Sequence, residues 1–209
     1  MSTGKLTLTT FLTLDGVMQA PGGPNEDPSG NFHHGGWIVP YVNEDMLRIV
    51  GQRFGNADAF LLGRKTYQIF ANHWPRVTDP ADPIASALNR LPKYVASKTL
   101  EKADWNNSTV IRGDLANQVA RLKQRYSREI QVHGSGDLAQ SLIANDLVDE
   151  FHLWLYPLML GTGKRLFGAG TVPAALTMAE TQTTSTGVVV SIYRRSGKPT
   201  YGSFELDQN

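Results

Sequence analysis

Strand-like and helix-like segments alternate through the first two-thirds of this 209-residue chain, and the last third holds strand-like segments only. Strands that alternate with helices favour a mainly parallel sheet with helices packed on its faces, whereas consecutive strands favour an antiparallel section. The sequence therefore predicts an α/β fold, with a mixed, mostly parallel central sheet flanked by helices and a C-terminal antiparallel hairpin.

The predicted strands alternate apolar with polar residues or are continuously apolar, and they cover 5–14, 57–62, 93–97, 109–111, 129–133, 150–158, 175–184 and 187–195. The predicted helices repeat apolar residues every three or four positions, and they cover 43–56, 67–72, 84–90, 115–126 and 138–144. No internal repeat or linker composition interrupts the pattern. We expect a single domain over 1–209 with a core of about 5–195.

Composition excludes several classes of function. The 20 Lys and Arg residues nearly balance the 19 Asp and Glu residues, so no strong positive field is available to attract nucleic acid. The longest apolar stretch, 154–160, is far shorter than the ~20 residues of a membrane span, and the start of the chain does not resemble a signal peptide. The absence of cysteine excludes disulfides and thiolate metal sites. We expect a cytoplasmic protein without nucleic-acid or membrane partners.

Three segments share one layout, in which an apolar strand is followed by glycine or small hydroxyl residues, and in two of them by a cation. They are 62–66 (LGRKT), 96–99 (ASKT) and 133–138 (HGSGDL). Ligands of α/β sheets bind outside the carboxyl ends of the strands, where helix N-termini favour phosphate groups. Each segment alone is ordinary turn chemistry, but three of them suit a ligand with several phosphates.

Other motifs of site chemistry are incomplete. The segment 134–139 fits G-x-G-x-x-A, but the next strand lacks the acidic residue that a Rossmann site has ~20 positions further on. The segment 161–164 (GTGK) lacks the remaining residues of a P-loop. No two histidines have the H-x-x-x-H spacing, so no metal site is predicted.

Five short motifs occur in an order that resembles the dihydrofolate-reductase-like family, in the branch of the C-terminal reductase domain of bacterial riboflavin biosynthesis. They are LDG (14–16), LGRKTY (62–67), ASKT (96–99), HGSG (133–136) and PLMLGTGKRLF (157–167), and the resemblance covers about residues 5–195. It implies a single α/β domain that binds NADPH at the carboxyl edge of its sheet. It also implies a homodimer, for which we expect the strand-rich last third to be the interface.

The resemblance assigns cofactor binding to Gly63, Arg64, Lys65, Thr66, Ser97, Lys98, Thr99, Gly134, Ser135, Gly136, Asp137 and Leu138. Arg64 and Lys65 would lie near the 2′-phosphate, and this pairing would favour NADPH over NADH. The segment 97–99 would hold the adenosine side, and 134–136 would pass close to the pyrophosphate and the nicotinamide.

The catalytic residues are less constrained. Asp15 is the first candidate for orienting the substrate or relaying a proton, and Glu44 and Asp45 are the second; turn formation and helix capping are the alternatives. Trp37 and Trp74 are candidates for the walls of the substrate pocket. The Gly- and Pro-rich segment 19–37 would act as a lid, with a disordered linker as the alternative interpretation of this loop.

We therefore expect an NADPH-dependent reductase that transfers a hydride to a small heterocyclic (pterin- or pyrimidine-like) or carbonyl substrate. The alternative is a non-catalytic NADP(H)-binding protein or sensor that retains the reductase fold. A flavin- or deazaflavin-dependent reductase on a different fold is a third possibility. Val17 and Met18 follow Gly16 where folate reductases usually have a tryptophan, which leaves the substrate open.

Overall fold

One eight-stranded sheet organises the protein in a computed structural model that describes residues 3–204. The predicted domain extends past both ends, and residues 1–2 and 205–209 lie outside the described residues. The strands are β1 (Lys5–Thr13), β2 (Ala57–Gly63), β3 (Lys93–Ala96), β4 (Ser108–Ile111), β5 (Glu129–His133), β6 (Glu150–Tyr156), β7 (Leu176–Thr183) and β8 (Val189–Arg195). The helices are α1 (Glu44–Gly55), α2 (Arg64–His73), α3 (Pro83–Arg90), α4 (Leu115–Arg125) and α5 (Gly136–Ala144).

The strand order is β4-β3-β2-β5-β1-β6-β8-β7. The strands β1 to β6 run parallel to one another, whereas β8 is antiparallel to β6 and β7 is antiparallel to β8. The predicted α/β fold is therefore confirmed, including its C-terminal antiparallel section. Within the described residues no helix combines the length and the apolar character that a membrane span requires.

The alternation in β1 explains how the sheet is covered on both sides. Leu6, Leu8 and Leu12 point to one face, where they pack with buried residues of α4 and α5. The other face is covered by α1, α2 and α3, in two clusters that include Trp154 of β6 and Phe60 of β2. Two helical layers therefore enclose the sheet and leave its carboxyl edge as the place where loops and helix N-termini meet.

The carboxyl edge has a step beside β1. The pairing of β5 with β1 ends at Thr9, opposite His133, whereas β6 accompanies β1 as far as Thr13. The upper part of β1 consequently has a strand neighbour on one side only. A crevice at such a point, where strands from different parts of the chain flank a central strand, is the usual ligand site of an open α/β sheet.

The long segment between β1 and α1 is packed against the sheet. The side-chain amide of Gln19 donates to the carbonyl oxygens of Asp27 and Ser29, both at 2.9 Å, and the indole of Trp37 donates to the Gln19 carbonyl at 2.8 Å. Phe32 and Trp37 are buried in the cluster that contains Trp154. These contacts fix the segment 19–37 as a compact lobe, which differs from the disordered-linker interpretation.

Candidate functional site

The N-termini of α2 and α5 interlock at the carboxyl edge. The Gly63 N–H donates to Ser135 Oγ at 3.0 Å, and the Ser135 N–H donates to Thr66 Oγ1 at 3.1 Å. The Ser135 hydroxyl in turn donates to the His133 carbonyl at 2.9 Å. This exchange of bonds holds the two helix starts side by side.

Capping distinguishes these two helices from the other three. Asn43, Asp82 and Asp114 cap α1, α3 and α4 through their side chains. Within residues 3–204 no side chain caps α2, which begins after Gly63, or α5, which begins after Ser135. The first N–H groups of a helix have no partner within the helix and attract anions. Two adjacent uncapped N-termini therefore form a site suited to a phosphate-bearing ligand.

The backbone between β5 and α5 is held in an uncommon conformation. Gly134 has φ +52° and Ser135 has φ +55°, in the left-handed region that serine rarely adopts. Ser135 keeps this conformation because its backbone and its hydroxyl are both fixed by the bonds to α2 and β2. A Cβ added at Gly63 would lie 3.4 Å from the Ser135 Cβ, an ordinary van der Waals distance, so the two segments are in direct contact here.

The crevice beside β1 adjoins these helix starts. The Gly134 N–H donates to the Thr9 carbonyl at 3.1 Å, the last link between β5 and β1. Backbone groups two residues further along a strand point the same way, so the N–H and C=O of Phe11 are turned toward the crevice, where none of the described strands pairs with them. Met18 closes the other side, with its sulfur 3.6 Å from a Cβ placed on Gly136.

Positive charge accumulates where β2, β3 and β4 end. Gly63, Ala96 and Ile111 share one row of the sheet, and the residues that follow them are Arg64, Ser97 and Arg112. The Ser97 hydroxyl accepts from the N–H groups of Thr99 and Leu100, which shapes the turn that exposes Lys98.

Arg112 was not predicted from the sequence. Its Nη2 donates to the Leu100 carbonyl at 2.6 Å and thereby secures the turn after β3. The signal that could have identified it is its position directly after the predicted strand 109–111, as Arg64 directly follows β2. Within the described residues, Arg64, Lys65, Lys98 and Arg112 form no ion pair.

Asp15 ties the end of β1 to the loop after β6. Its carboxylate accepts from the Thr13 hydroxyl at 2.5 Å and from the N–H groups of Leu160 and Gly161 at 3.2 and 2.8 Å. These bonds, the one from Thr13 foremost, lower the pKa of Asp15 to about 2. A carboxyl group with this pKa carries no proton to donate at neutral pH, so its surroundings suit the turn interpretation.

Asp45 ties α1 to the turn between β7 and β8. Its Oδ2 accepts from the Ser185 N–H at 2.8 Å, and this bond is the main reason that the pKa of Asp45 is lowered. Glu44 precedes it in the first turn of α1 and is exposed. Both therefore lie at the carboxyl edge, near the start of β8, but only Asp45 has an evident structural task.

The two tryptophans do not line one pocket as the sequence suggested. Trp37 is 6% exposed and packs edge-on against Tyr156, so it belongs to the core of the lobe. Trp74 follows the last residue of α2, a helix of ten residues, and lies about 16.5 Å along the helix axis from Gly63 at 1.5 Å per residue. The structure therefore places Trp74 at the opposite end of α2 from the helix start.

His133 is a buried residue that directly precedes Gly134, shortly before the start of α5. It ends β5, is buried, and stacks on Phe54 of α1 with the ring centroids 4.7 Å apart. Burial lowers the pKa of His133 to about 3, so the ring is neutral and Nε2 lies 3.1 Å from the Gln131 side-chain oxygen. These contacts hold the His133 ring in place and thereby fix the position of the last residue of β5, from which the chain continues to Gly134.

One group of side chains has the composition of a metal site. Glu129, Glu150 and His152 place ligand atoms within 4.8 Å of one another at buried positions. Both oxygens of Glu150 are already engaged, by Lys5 Nζ and Arg194 Nε at 2.9 Å each. The cluster therefore forms a charge-compensated network under α1, at the amino ends of the strands and away from the crevice.

Comparison with known proteins gives a match at the level of sequence. The RibD C-terminal domain family matches residues 4–190. The uncharacterized protein YyaP of Bacillus subtilis is 28% identical over 195 residues, which cover 92% of this chain and 96% of YyaP.

Solved structures are similar in fold. A pyrimidine reductase-like protein from Corynebacterium diphtheriae has a TM-score of 0.58 at 14% identity, with 92% of each chain covered. A deaminase/5-amino-6-(5-phosphoribosylamino)uracil reductase from Thermotoga maritima has a TM-score of 0.60 at 13% identity, covering 93% of this chain and 57% of the other. Dihydrofolate reductase from Enterococcus faecalis, in complex with NADP(H), has a TM-score of 0.57 at 12% identity and coverages of 93% and 98%.

Proposed function

The chain belongs to the RibD C-terminal domain family, and from this we propose that it is an NADPH-dependent reductase of a small heterocyclic or carbonyl compound. The family supports a reductase as the general class. The observation that carries the finer assignment is the pair of uncapped helix N-termini, α2 and α5, beside a crevice at the centre of the sheet.

The donor set at this edge fits the phosphates of a dinucleotide. The N–H groups of 64–66 and 136–138 converge at two adjacent helix starts, which the hydrogen bond from the Gly63 N–H to Ser135 Oγ holds together. In this arrangement Asp137 contributes its N–H, while its carboxylate is exposed to solvent. The pyrophosphate would bind between the two helices.

The cations beside β2 and β3 support selectivity for NADPH. Arg64, Lys65 and Lys98 are exposed and form no ion pair within residues 3–204. A phosphate on the adenosine ribose would give them charge-assisted hydrogen bonds, which are among the stronger ones. NADH lacks this group and would lose these bonds.

NADPH supplies the hydride when bound, and the chain's own residues position the reactants. The free backbone edge of Phe11 can hydrogen-bond a planar amide in the crevice, next to Gly134. The lobe 19–37 and α1 cover the adjoining face and exclude water from it. Hydride transfer depends on such contact between donor and acceptor carbon atoms.

Of the three candidate carboxylates, we assign substrate contact to Glu44. Asp15 and Asp45 are each committed to backbone N–H groups that keep them ionised, and we give them a positioning role. The Glu44 side chain makes no hydrogen bond or ion pair within the described part of the chain and is exposed, so it is free to meet a substrate or a proton-bearing water.

We also propose a cytoplasmic homodimer, joined through the last third of the chain. β7 is an edge strand, and its Leu176 and Met178 are 37% and 54% exposed. An exposed edge with apolar side chains favours pairing with another strand.

Titration with NADPH and NADH, followed by nucleotide fluorescence, tests the proposed function. We expect NADPH to bind at least tenfold more tightly, because charge-assisted hydrogen bonds contribute roughly 1.5–3 kcal/mol each. A screen of reducible heterocycles then separates the enzyme from a non-catalytic sensor, which binds NADPH without consuming it. Absence of binding by either nucleotide overturns the proposal.

A further inference from the structure

The carboxyl edge has two halves of opposite charge. The cofactor half, formed by 63–66, 97–100, 112–114 and 134–138, holds four Lys and Arg residues and two Asp residues. The substrate half, formed by 14–45 and 157–167, holds two cations and five carboxylates. The proposed function places the phosphates of the cofactor on the positive half, so the negative half faces the substrate.

Both cations of the substrate half are paired. Lys164 Nζ lies 2.5 Å from Asp27 Oδ2 and 2.8 Å from Ser29 Oγ. Arg165 Nε donates to the Asp15 carbonyl at 2.8 Å, and its Nη2 lies 3.5 Å from Asp15 Oδ2. The cations of the cofactor half have no such carboxylate within residues 3–204.

These pairs persist at neutral pH because their carboxylates stay ionised. Asp27 is partly buried, but its bonds from Lys164 and Ser29 outweigh that burial and lower its pKa. Asp15 is further held by the N–H of Gly161 at 2.8 Å. An anion that approached Lys164 or Arg165 would therefore have to displace the paired carboxylate. It would then lie next to that displaced carboxylate and be repelled by its negative charge.

Aromatic residues of β1 and β6 lie beside the substrate half, and one of them contacts its Tyr41. Phe11 meets Trp154 and Tyr156 edge-on at 5.7 and 5.8 Å, and Tyr41 meets Tyr156 at 5.5 Å. Phe11 and Tyr41 are half-buried, so neither residue is fully enclosed by its neighbours. A planar ring can stack or pack edge-on against such aromatic residues.

We propose that the substrate half accepts a planar compound that carries no phosphate or other anionic group. This inference rests on the proposed function, since it takes the cofactor to occupy the positive half. It sets the chain apart from its structural neighbour in Thermotoga maritima, whose name specifies a phosphoribosyl compound. Discrimination against an anionic substrate comes from carboxylates that repel the anion and are already paired with the cations that would otherwise bind it.

A matched ligand pair tests the inference on the protein saturated with NADP⁺. The pair is 5-amino-6-(5-phosphoribosylamino)uracil and the same compound without its phosphate, and calorimetry measures the two dissociation constants. We expect the unphosphorylated compound to bind at least tenfold more tightly. Tighter binding of the phosphorylated compound overturns the inference, and so does failure of both to bind.

Asp27→Asn provides a second test because it releases Lys164 from its ion pair. We expect this variant to bind the phosphorylated compound at least tenfold more tightly than the wild type does, and Asp27→Asn combined with Lys164→Met to lose the gain. No gain in the single variant contradicts the inference. Binding of NADP⁺ is measured on the same samples, so a failure of the proposed cofactor site appears separately.

Discussion

Ser135 shows how single residues hold the site together. Serine before a helix suggests an N-cap, yet here the left-handed backbone turns its hydroxyl toward Gly63 and His133 instead. The sequence placed Ser135 at the ligand, but it could not show this bond, because Gly63 is far away in the chain. The same limit applies to Asp15, whose partners Leu160 and Gly161 follow β6.

Ser135→Ala removes the acceptor of the Gly63 N–H. A buried N–H without a partner costs about 1–3 kcal/mol, so we expect the free energy of unfolding to fall by that amount and NADPH affinity to fall with it. Urea titration and nucleotide fluorescence measure the two effects. Ser141→Ala on the same helix is the matched control and should leave NADPH affinity unchanged, because the Ser141 hydroxyl donates to the Asp137 carbonyl at 2.9 Å and to no other group that the structure describes.

Arg64→Ala tests the contact with the 2′-phosphate. We expect NADPH affinity to fall about tenfold or more, since a charge-assisted hydrogen bond contributes roughly 1.5–3 kcal/mol, and NADH affinity to stay the same. Arg76→Ala at the end of the 3₁₀ turn after α2 removes the same charge away from the site and serves as the control. Equal losses for both nucleotides would rule out the assigned contact.

At the scale of elements, local sequence patterns were sufficient to predict which segments form strands and which form helices. They were not sufficient to predict how these elements are arranged in the sheet. The predicted helix 67–72 extends to Arg64–His73, because Gly63 with an extended backbone lets the helix begin directly after β2. The order β5-β1-β6, and with it the step at Thr9, arises from pairing between distant segments that periodicity does not encode. The separation of Trp74 from the start of α2 follows from the full length of the helix, Arg64–His73.

The edge strand β7 allows an element-scale prediction. Met178→Asp places a charge on the exposed apolar surface of this strand, and we expect it to convert the proposed dimer into a monomer without loss of fold. Light scattering measures the mass of wild type and variant, and circular dichroism checks folding. Thr183→Asp, at the end of the same strand, is the control. A monomeric wild type contradicts the proposed assembly.

Considered as a whole, the molecule keeps buried titratable groups on the α1 face of its central strands. His133 has a pKa of about 3 in the folded protein, so between pH 3 and 6.5 the unfolded chain binds a proton that the folded protein does not. Glu150 has a lowered pKa through its bonds with His152, Lys5 and Arg194, and it acts in the same direction below its ordinary value of 4.5. Both groups therefore destabilise the fold as the pH falls.

We accordingly expect the free energy of unfolding to decrease below pH 6.5 and more steeply below pH 4.5. His133→Gln keeps a polar group beside Gln131 but cannot gain a proton, so it should flatten the curve between pH 4.5 and 6.5. Urea titrations of both proteins from pH 4 to 8 measure this. An unchanged slope in the variant shows that another group is responsible.

The central claim is that two uncapped helix N-termini hold the pyrophosphate of NADPH. Two-dimensional amide NMR of the protein with and without NADP⁺ tests it most directly, because it observes the N–H groups themselves. We predict the largest shifts at the amides of 64–66 and 136–138, with the capped starts of α3 and α4 unchanged. Saturable binding that leaves both uncapped helix starts unperturbed would contradict the account.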